Sequence, residues 1–231
     1  MGASSDTKTL NNTGAQNACL ASHAFRCAHP PITSPRLPPY HAPFSMEHSE
    51  FVVVDVETTH GDPMQGSIIE VAVIVHDGLR ELDRWNTLVN VRSEVPPFIR
   101  RLTGITSRML QNAPSFALVA QSLRTSTADR IMVAHNVRYD LTALQHEFAR
   151  TGLSYHPDTL CTERLARQLI PNLTHYNLGS LCRHLGITRG HEHRAAHDAQ
   201  ATLALLLRMI EDHGRERVLS SMTPWSEKQR A

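Results

Sequence analysis

The chain has 231 residues, 41% of them hydrophobic, enough for one well-filled core with extensions. A formal net charge of +1 excludes a broad basic coat of the kind that wraps duplex DNA, so any nucleic-acid contact is local. The cysteines, Cys19, Cys27, Cys161 and Cys182, make neither a CxxC pair nor a Cys/His zinc spacing, and no apolar run is long enough to span a membrane.

Residues 1–48 are polar at first and then crowded with proline, as in HPPITSPRLPPYHAPF, which excludes helix and central strand. A disordered extension that folding and catalysis do not need is expected there, ahead of a domain over 49–213 and a tail over 214–231. From Phe51 the run FVVVDVET reads as a buried strand, yet it carries Asp55 and Glu57. Side chains alternate faces along a strand, so the two acids share a face about 6.6 Å apart and repel unless something positive lies between them. An ordinary strand end emerging into a turn at Thr58, Thr59 and Gly61 is the other reading of the same residues.

SIIEVAVIVHDG and ELDRWNTLVNV follow, two strands divided by an Asp-Gly turn, and the first three strands are expected to be antiparallel neighbours. PPFIRRLTGITSRML reads as a proline-started helical turn and loop, and SFALVAQSLRTS as a helix. RIMVAH makes a fourth strand that leads into the helix NVRYDLTALQHEFARTG, where Asp140 lies beside the apolar stripe of Val137, Leu141, Leu144 and Phe148. CTERLARQLI, NLGSLCRHLGI and RAAHDAQATLALLLRMIEDHG are helical by period, and in the last of these Asp198 heads the face of Thr202, Leu205 and Met209. His193 stands just before that helix. Strands first, then helices alternating with strands, predict an α/β fold on a mixed sheet. No strand is followed by a GxGxxG or P-loop pattern, which argues against a dinucleotide or nucleoside-triphosphate loop.

Asp-x-Glu on the first strand, Asp140 in HNVRYD and the segment HRAAHD ending at Asp198 form an ordered set, and with them the chain resembles the DEDDh group of DnaQ-like exonucleases. That family includes the proofreading subunits of bacterial replicative polymerases. The resemblance runs from Phe51 to Ile210, through DVETT, IIEVAVIVHDG, LTGIT, AHNVRYD, TLCTERLARQL, NLGSLCRHLGI and HRAAHDAQAT. The tyrosine variant of the superfamily would need Tyr where this chain has Arg194. What the resemblance implies is a ribonuclease H-like fold, a five-stranded mixed sheet flanked by helices, and two Mg²⁺ or Mn²⁺ ions held by Asp55, Glu57, Asp140 and Asp198. Asp55 is then the bridge between the ions, Glu57 and Asp198 complete the site of the attacking water, Asp140 supports the second ion, and His193 takes the proton from that water. Thr58, Leu102, Thr103, Gly104 and Ile105 are implied to contact the terminal nucleotide and Asn136 to help place the strand, although plain packing explains Leu102 and Ile105 equally well. Arg100, Arg101, Arg108 and Arg138 either meet phosphates or are scattered surface arginines.

Two positions depart from the family, His60 and His197, where glycine or another small residue is usual, so the loop over the 3′ end is expected to differ in shape. Among His191, His193 and His197, only His193 has the family's spacing; His197 lies about 100° round the helix from Asp198. The implied activity is a metal-dependent 3′→5′ exonuclease releasing nucleoside monophosphates from single-stranded or frayed DNA ends, in proofreading or repair. Trimming of RNA ends and a non-catalytic nucleic-acid-binding module are the alternatives, and an intact set of four acids weighs against the second. A DNA polymerase partner follows from the family alone, with no tethering motif behind it, and a cytoplasmic monomer without membrane contact is expected.

Overall fold

The computed structural model of the protein describes residues 49–224. The extension expected over residues 1–48 lies outside the described residues. Strands β1 (Phe51–Thr58), β2 (Ile68–His76) and β3 (Glu81–Leu88) form the antiparallel part of a five-stranded sheet. Strands β4 (Ile131–Ala134) and β5 (Thr159–Cys161) add the parallel part, giving the order β3-β2-β1-β4-β5. This is the α/β mixed sheet that the residue pattern predicts, with the first three strands antiparallel. Asp77 makes the β2–β3 turn, its carboxylate accepting the Leu79 and Arg80 N–H groups at 2.7 and 2.8 Å.

Helices cover both faces, which is why every residue of β2 is buried. Helix α7 (Ala195–His213) packs over Phe51, Val53, Ala72 and Ile74. Helices α3 (Phe116–Thr127) and α4 (Val137–Arg150) pack over Val52, Val54 and Val73 on the other side. Beside α7, α5 (Thr162–Leu169) and α6 (Leu178–Leu185) complete the first cluster. The outer strand β3 keeps a charged run, ELDR, along its exposed half, a device that discourages edge pairing. PPFIRRLTGITSRML divides into α1 (Pro97–Thr103) and α2 (Ser107–Leu110), because Gly104 at φ 73° ends the first and the Thr106 hydroxyl, accepting from the Met109 N–H, begins the second.

The C-terminal boundary expected at residue 213 is corrected by the packing. Helix α8 (Arg215–Leu219) buries Val218 and Leu219 in the α7 cluster. Arg215 donates to the carbonyls of Asp77, at 3.0 Å, and Ser49, and its guanidinium lies over the Phe51 ring. Thr223 exchanges backbone hydrogen bonds of 3.0 and 2.8 Å with Thr159 and so extends β5 at its free edge. Segment 214–224 thus belongs to the domain, because two apolar side chains and an arginine tie it to strands far away in sequence.

Candidate active site

Strand β1 runs on past β4, their pairing stopping at Val53 opposite Val133. The first turn of α4 occupies the space beyond, and Asp140 there accepts the Val56 N–H at 3.2 Å. Asp55 and Glu57 share the β1 face of Phe51 and Val53, the one α7 covers, and they pair across the ladder with Ala72 and Glu70. Asp198 is buried in the first turn of α7. The donor atoms of Glu57, His193 and Asp198 all lie within 4.8 Å of one another, a spacing that one ion can span.

Gathering these acids has an electrostatic cost. Burial, and then the neighbouring charges of Asp140, Asp198, Glu57 and Glu70, raise the Asp55 carboxyl well above its ordinary range. Burial likewise pushes Glu57 up to about 8, with Asp198, Glu70 and Asp140 adding to the shift and Arg194 opposing it. Asp140 is raised by burial, against the lowering effect of the Val56 N–H. Carboxylates so placed favour a divalent cation among them, and the four carboxylates of Asp55, Glu57, Asp140 and Asp198 offer the oxygen donors that hard cations take.

The segment that carries His193 is tied down on both sides. His193 itself takes φ 58°, in the left-handed region, and donates its N–H to Asp198 Oδ2 at 3.1 Å. Arg189 donates twice to Asp198 Oδ1, at 3.1 and 2.7 Å, and once to Glu192 at 2.8 Å. Arg194 forms a fork on buried Glu70, at 3.1 and 2.8 Å, and Glu70 also accepts the Ala195 N–H at 3.0 Å. Next to this segment lies a cavity of about 340 Å³, with Leu102, Thr103 and Gly104 on one wall and His191, Glu192, Arg194 and His197 on the other.

Residues 52–206 match the exonuclease family of the RNase T type. The chain belongs to this exonuclease family. Among curated relatives it is 33% identical over 169 residues to the 3′-5′ exonuclease DinG of Bacillus subtilis, a match that covers 72% of this chain and 18% of that protein. It is 32% identical over 162 residues to a PolC-type DNA polymerase III of Caldanaerobacter subterraneus, covering 70% of this chain and 12% of the polymerase. The chain therefore spans about a fifth or less of the length of these relatives. Among solved structures, Exonuclease X in complex with 5′-overhanging duplex DNA is 26% identical, with a TM-score of 0.61, covering 74% of this chain and 98% of the other.

Set against the DEDDh pattern, Asp55, Glu57, Asp140, Asp198 and His193 meet at one end of β1. Thr58 is buried at the end of β1, its hydroxyl 2.6 Å from that of Tyr139 and donating at 2.6 Å to the His60 carbonyl. Leu102, Thr103 and Gly104 face the cavity, whereas Ile105 is wholly buried with Ile69, Val95, Ile99 and Leu110. Packing is therefore the role of Ile105, and a direct nucleotide contact for it is corrected; Leu102 serves the cavity. Asn136 heads α4 in the left-handed conformation at φ 61°, exposed and outside the cavity wall. His60 does not adopt a positive φ; its carbonyl also accepts the Tyr139 hydroxyl at 2.9 Å, so the loop accommodates a side chain there. His197 is exposed, its ring stacks on His191, and both line the cavity.

Several residues at the site have no place in the sequence-based expectations. Glu70 was detectable, being an acid inside the apolar run IIEVAVIVH just as Asp55 is in its own strand. Arg189 and Tyr139 gave no such signal, since their roles depend on partners brought near only by the fold. His135 belongs with them: half-buried between Thr162 and the Tyr176 carbonyl, 3.0 Å from each, it ties the β4 end to both, and partial burial lowers its pKa.

Proposed function

We propose that the protein is a metal-dependent 3′→5′ exonuclease that releases nucleoside monophosphates from single-stranded or frayed DNA ends. The observation that carries this reading is the convergence of Glu57, His193 and Asp198 within 4.8 Å, beside buried Asp55 and Asp140. Asp55, Glu57, Asp140 and Asp198 are the residues that would hold two Mg²⁺ or Mn²⁺ ions. When bound, such ions neutralise the phosphate, make a water nucleophilic and stabilise the leaving oxygen.

The chain's own groups do the rest. Asp55, on a rigid strand, holds its carboxylate close enough to Asp140, Asp198 and Glu57 to feel their charges. Asp198 is fixed by Arg189 and by the His193 N–H, so that its position does not depend on a free rotamer. His193 accepts the proton of the attacking water, its ring brought to the acids by the left-handed turn. Leu102, Thr103 and Gly104 seat the terminal nucleotide in the cavity; Thr58, at the end of β1, also contacts that nucleotide, and Asn136, at the head of α4, helps place the strand. DNA is favoured because Exonuclease X is seen in complex with duplex DNA and a PolC-type relative is a DNA polymerase, which also suggests a setting in replication or repair. Among the described residues no helix is long and apolar enough to cross a membrane.

Degradation of end-labelled DNA and RNA of equal sequence, side by side in Mg²⁺ and in Mn²⁺, tests the reading. Faster shortening of DNA from its 3′ end is expected; faster shortening of RNA would overturn the choice of sugar.

A further inference from the structure

Helix α1 carries a surface that the catalytic cluster leaves unused. From Val95 to Leu110 the chain has three arginines, Arg100, Arg101 and Arg108, and no acid. All three are exposed, and their guanidinium groups have no hydrogen-bond or ion-pair partner among the described residues. On the same helix Phe98 is 63% exposed, whereas Phe51, Phe116 and Phe148 are buried in the core. At about 100° per residue, Phe98 and Leu102 lie about 40° apart on one flank and Arg101 about 60° from Phe98. Ile99 and Thr103 point inward, and they are buried. Leu102 is also part of the cavity wall, so this flank continues that wall outward.

We propose that the Phe98–Arg101 flank of α1 seats the strand upstream of the terminal nucleotide, with Phe98 stacking on a base of single-stranded nucleic acid and Arg101 meeting a backbone phosphate. This rests on the exonuclease reading of the cavity. Two features select a polynucleotide as the occupant. An exposed ring is sequence-tolerant, since every base offers a π-face, and unpaired guanidinium groups on a segment that itself carries no acid match a phosphate backbone. Continuity with the cavity supplies the register: four residues of helix, about 6 Å, separate Leu102 from Phe98, between one and two stacked nucleotide rises of about 3.4 Å. Local charge of this kind reconciles nucleic-acid binding with a net charge of +1.

The test is steady-state kinetics of the whole chain on thymidine oligomers of two, four and ten nucleotides. The p-nitrophenyl ester of thymidine 5′-monophosphate serves beside them as a probe of the terminal pocket alone. In the unmodified chain KM should fall as the oligomer grows. F98A should lower the decamer-to-dimer ratio of kcat/KM about tenfold, F98W should restore it, and R101Q should lower it while reducing the salt slope by about one. A ratio unaltered in F98A, or a KM that does not depend on length in the unmodified chain, overturns the proposal. Failure of the unmodified chain to hydrolyse either ester or oligomer overturns the exonuclease reading instead, so the two failures are told apart.

Discussion

His193 adopts a backbone conformation that costs a non-glycine residue about 1 to 2 kcal/mol, and its ties explain why it persists there. Its N–H is committed to Asp198 and the next residue to Glu70, so the ring is delivered to the acids rather than left to sample solvent. His193→Ala is expected to lower kcat about 10²- to 10⁴-fold, while His191→Ala and His197→Ala, whose rings stack on each other and do not join the Glu57–Asp198 cluster, cost far less. Turnover of the three variants in Mg²⁺ checks this; a large loss at His197 with near-normal turnover at His193 would mean that the base is misassigned. At this scale the site was legible where a charge interrupts an apolar period, as at Asp55, Glu57, Asp140 and Asp198. It was not legible where a residue's role lies in its partner, as with Arg189, nor at Ile105, whose motif position says nothing about which way the side chain faces.

Between elements, the Arg194–Glu70 pair fastens the start of α7 to the middle of the sheet. The Glu70 side chain is 1% exposed, so removing its partner leaves a carboxylate in the core with only the Ala195 N–H. Arg194→Met should therefore cost about 2 to 4 kcal/mol in urea unfolding, and adding Glu70→Gln should recover part of that loss by removing the uncompensated charge. A double variant less stable than Arg194→Met would contradict the account. Strand identities were readable because alternation and β-branched runs are local, and so was the antiparallel start, because an Asp-Gly turn dictates a hairpin. Three-residue β5 is too short for any period to register.

In the whole molecule, the acids make stability depend on pH and on metal together. Glu57 has its folded pKa, about 8, above its ordinary 4.5, and Asp55 and Asp140 are raised too, so the folded state binds the extra protons. Their contribution is fullest below 4.5 and is lost as pH rises through about 8. Half-buried His135, lowered from 6.5, acts in the opposite sense only below 6.5, which leaves the interval from there to about 8 to the acids. The melting temperature in EDTA should fall across that interval and stay level in saturating Mg²⁺; a rise in EDTA would contradict the assignment. Ending the chain after His213 should cost about 3 to 5 kcal/mol, since Val218 and Leu219 leave the core, and urea unfolding reads that directly. Nothing in the polar run after Gly214 announces this, because the two apolar residues of α8 are too few to make a pattern. The central claim, that one cluster of carboxylates hydrolyses nucleic acid from the 3′ end, is tested most directly by a time course on a 5′-labelled single strand with Asp55→Asn in parallel. The account predicts a ladder shortening from the 3′ end with mononucleotide product, lost in EDTA and in Asp55→Asn. Equal cleavage of a closed circular strand, or full activity in Asp55→Asn, would contradict it.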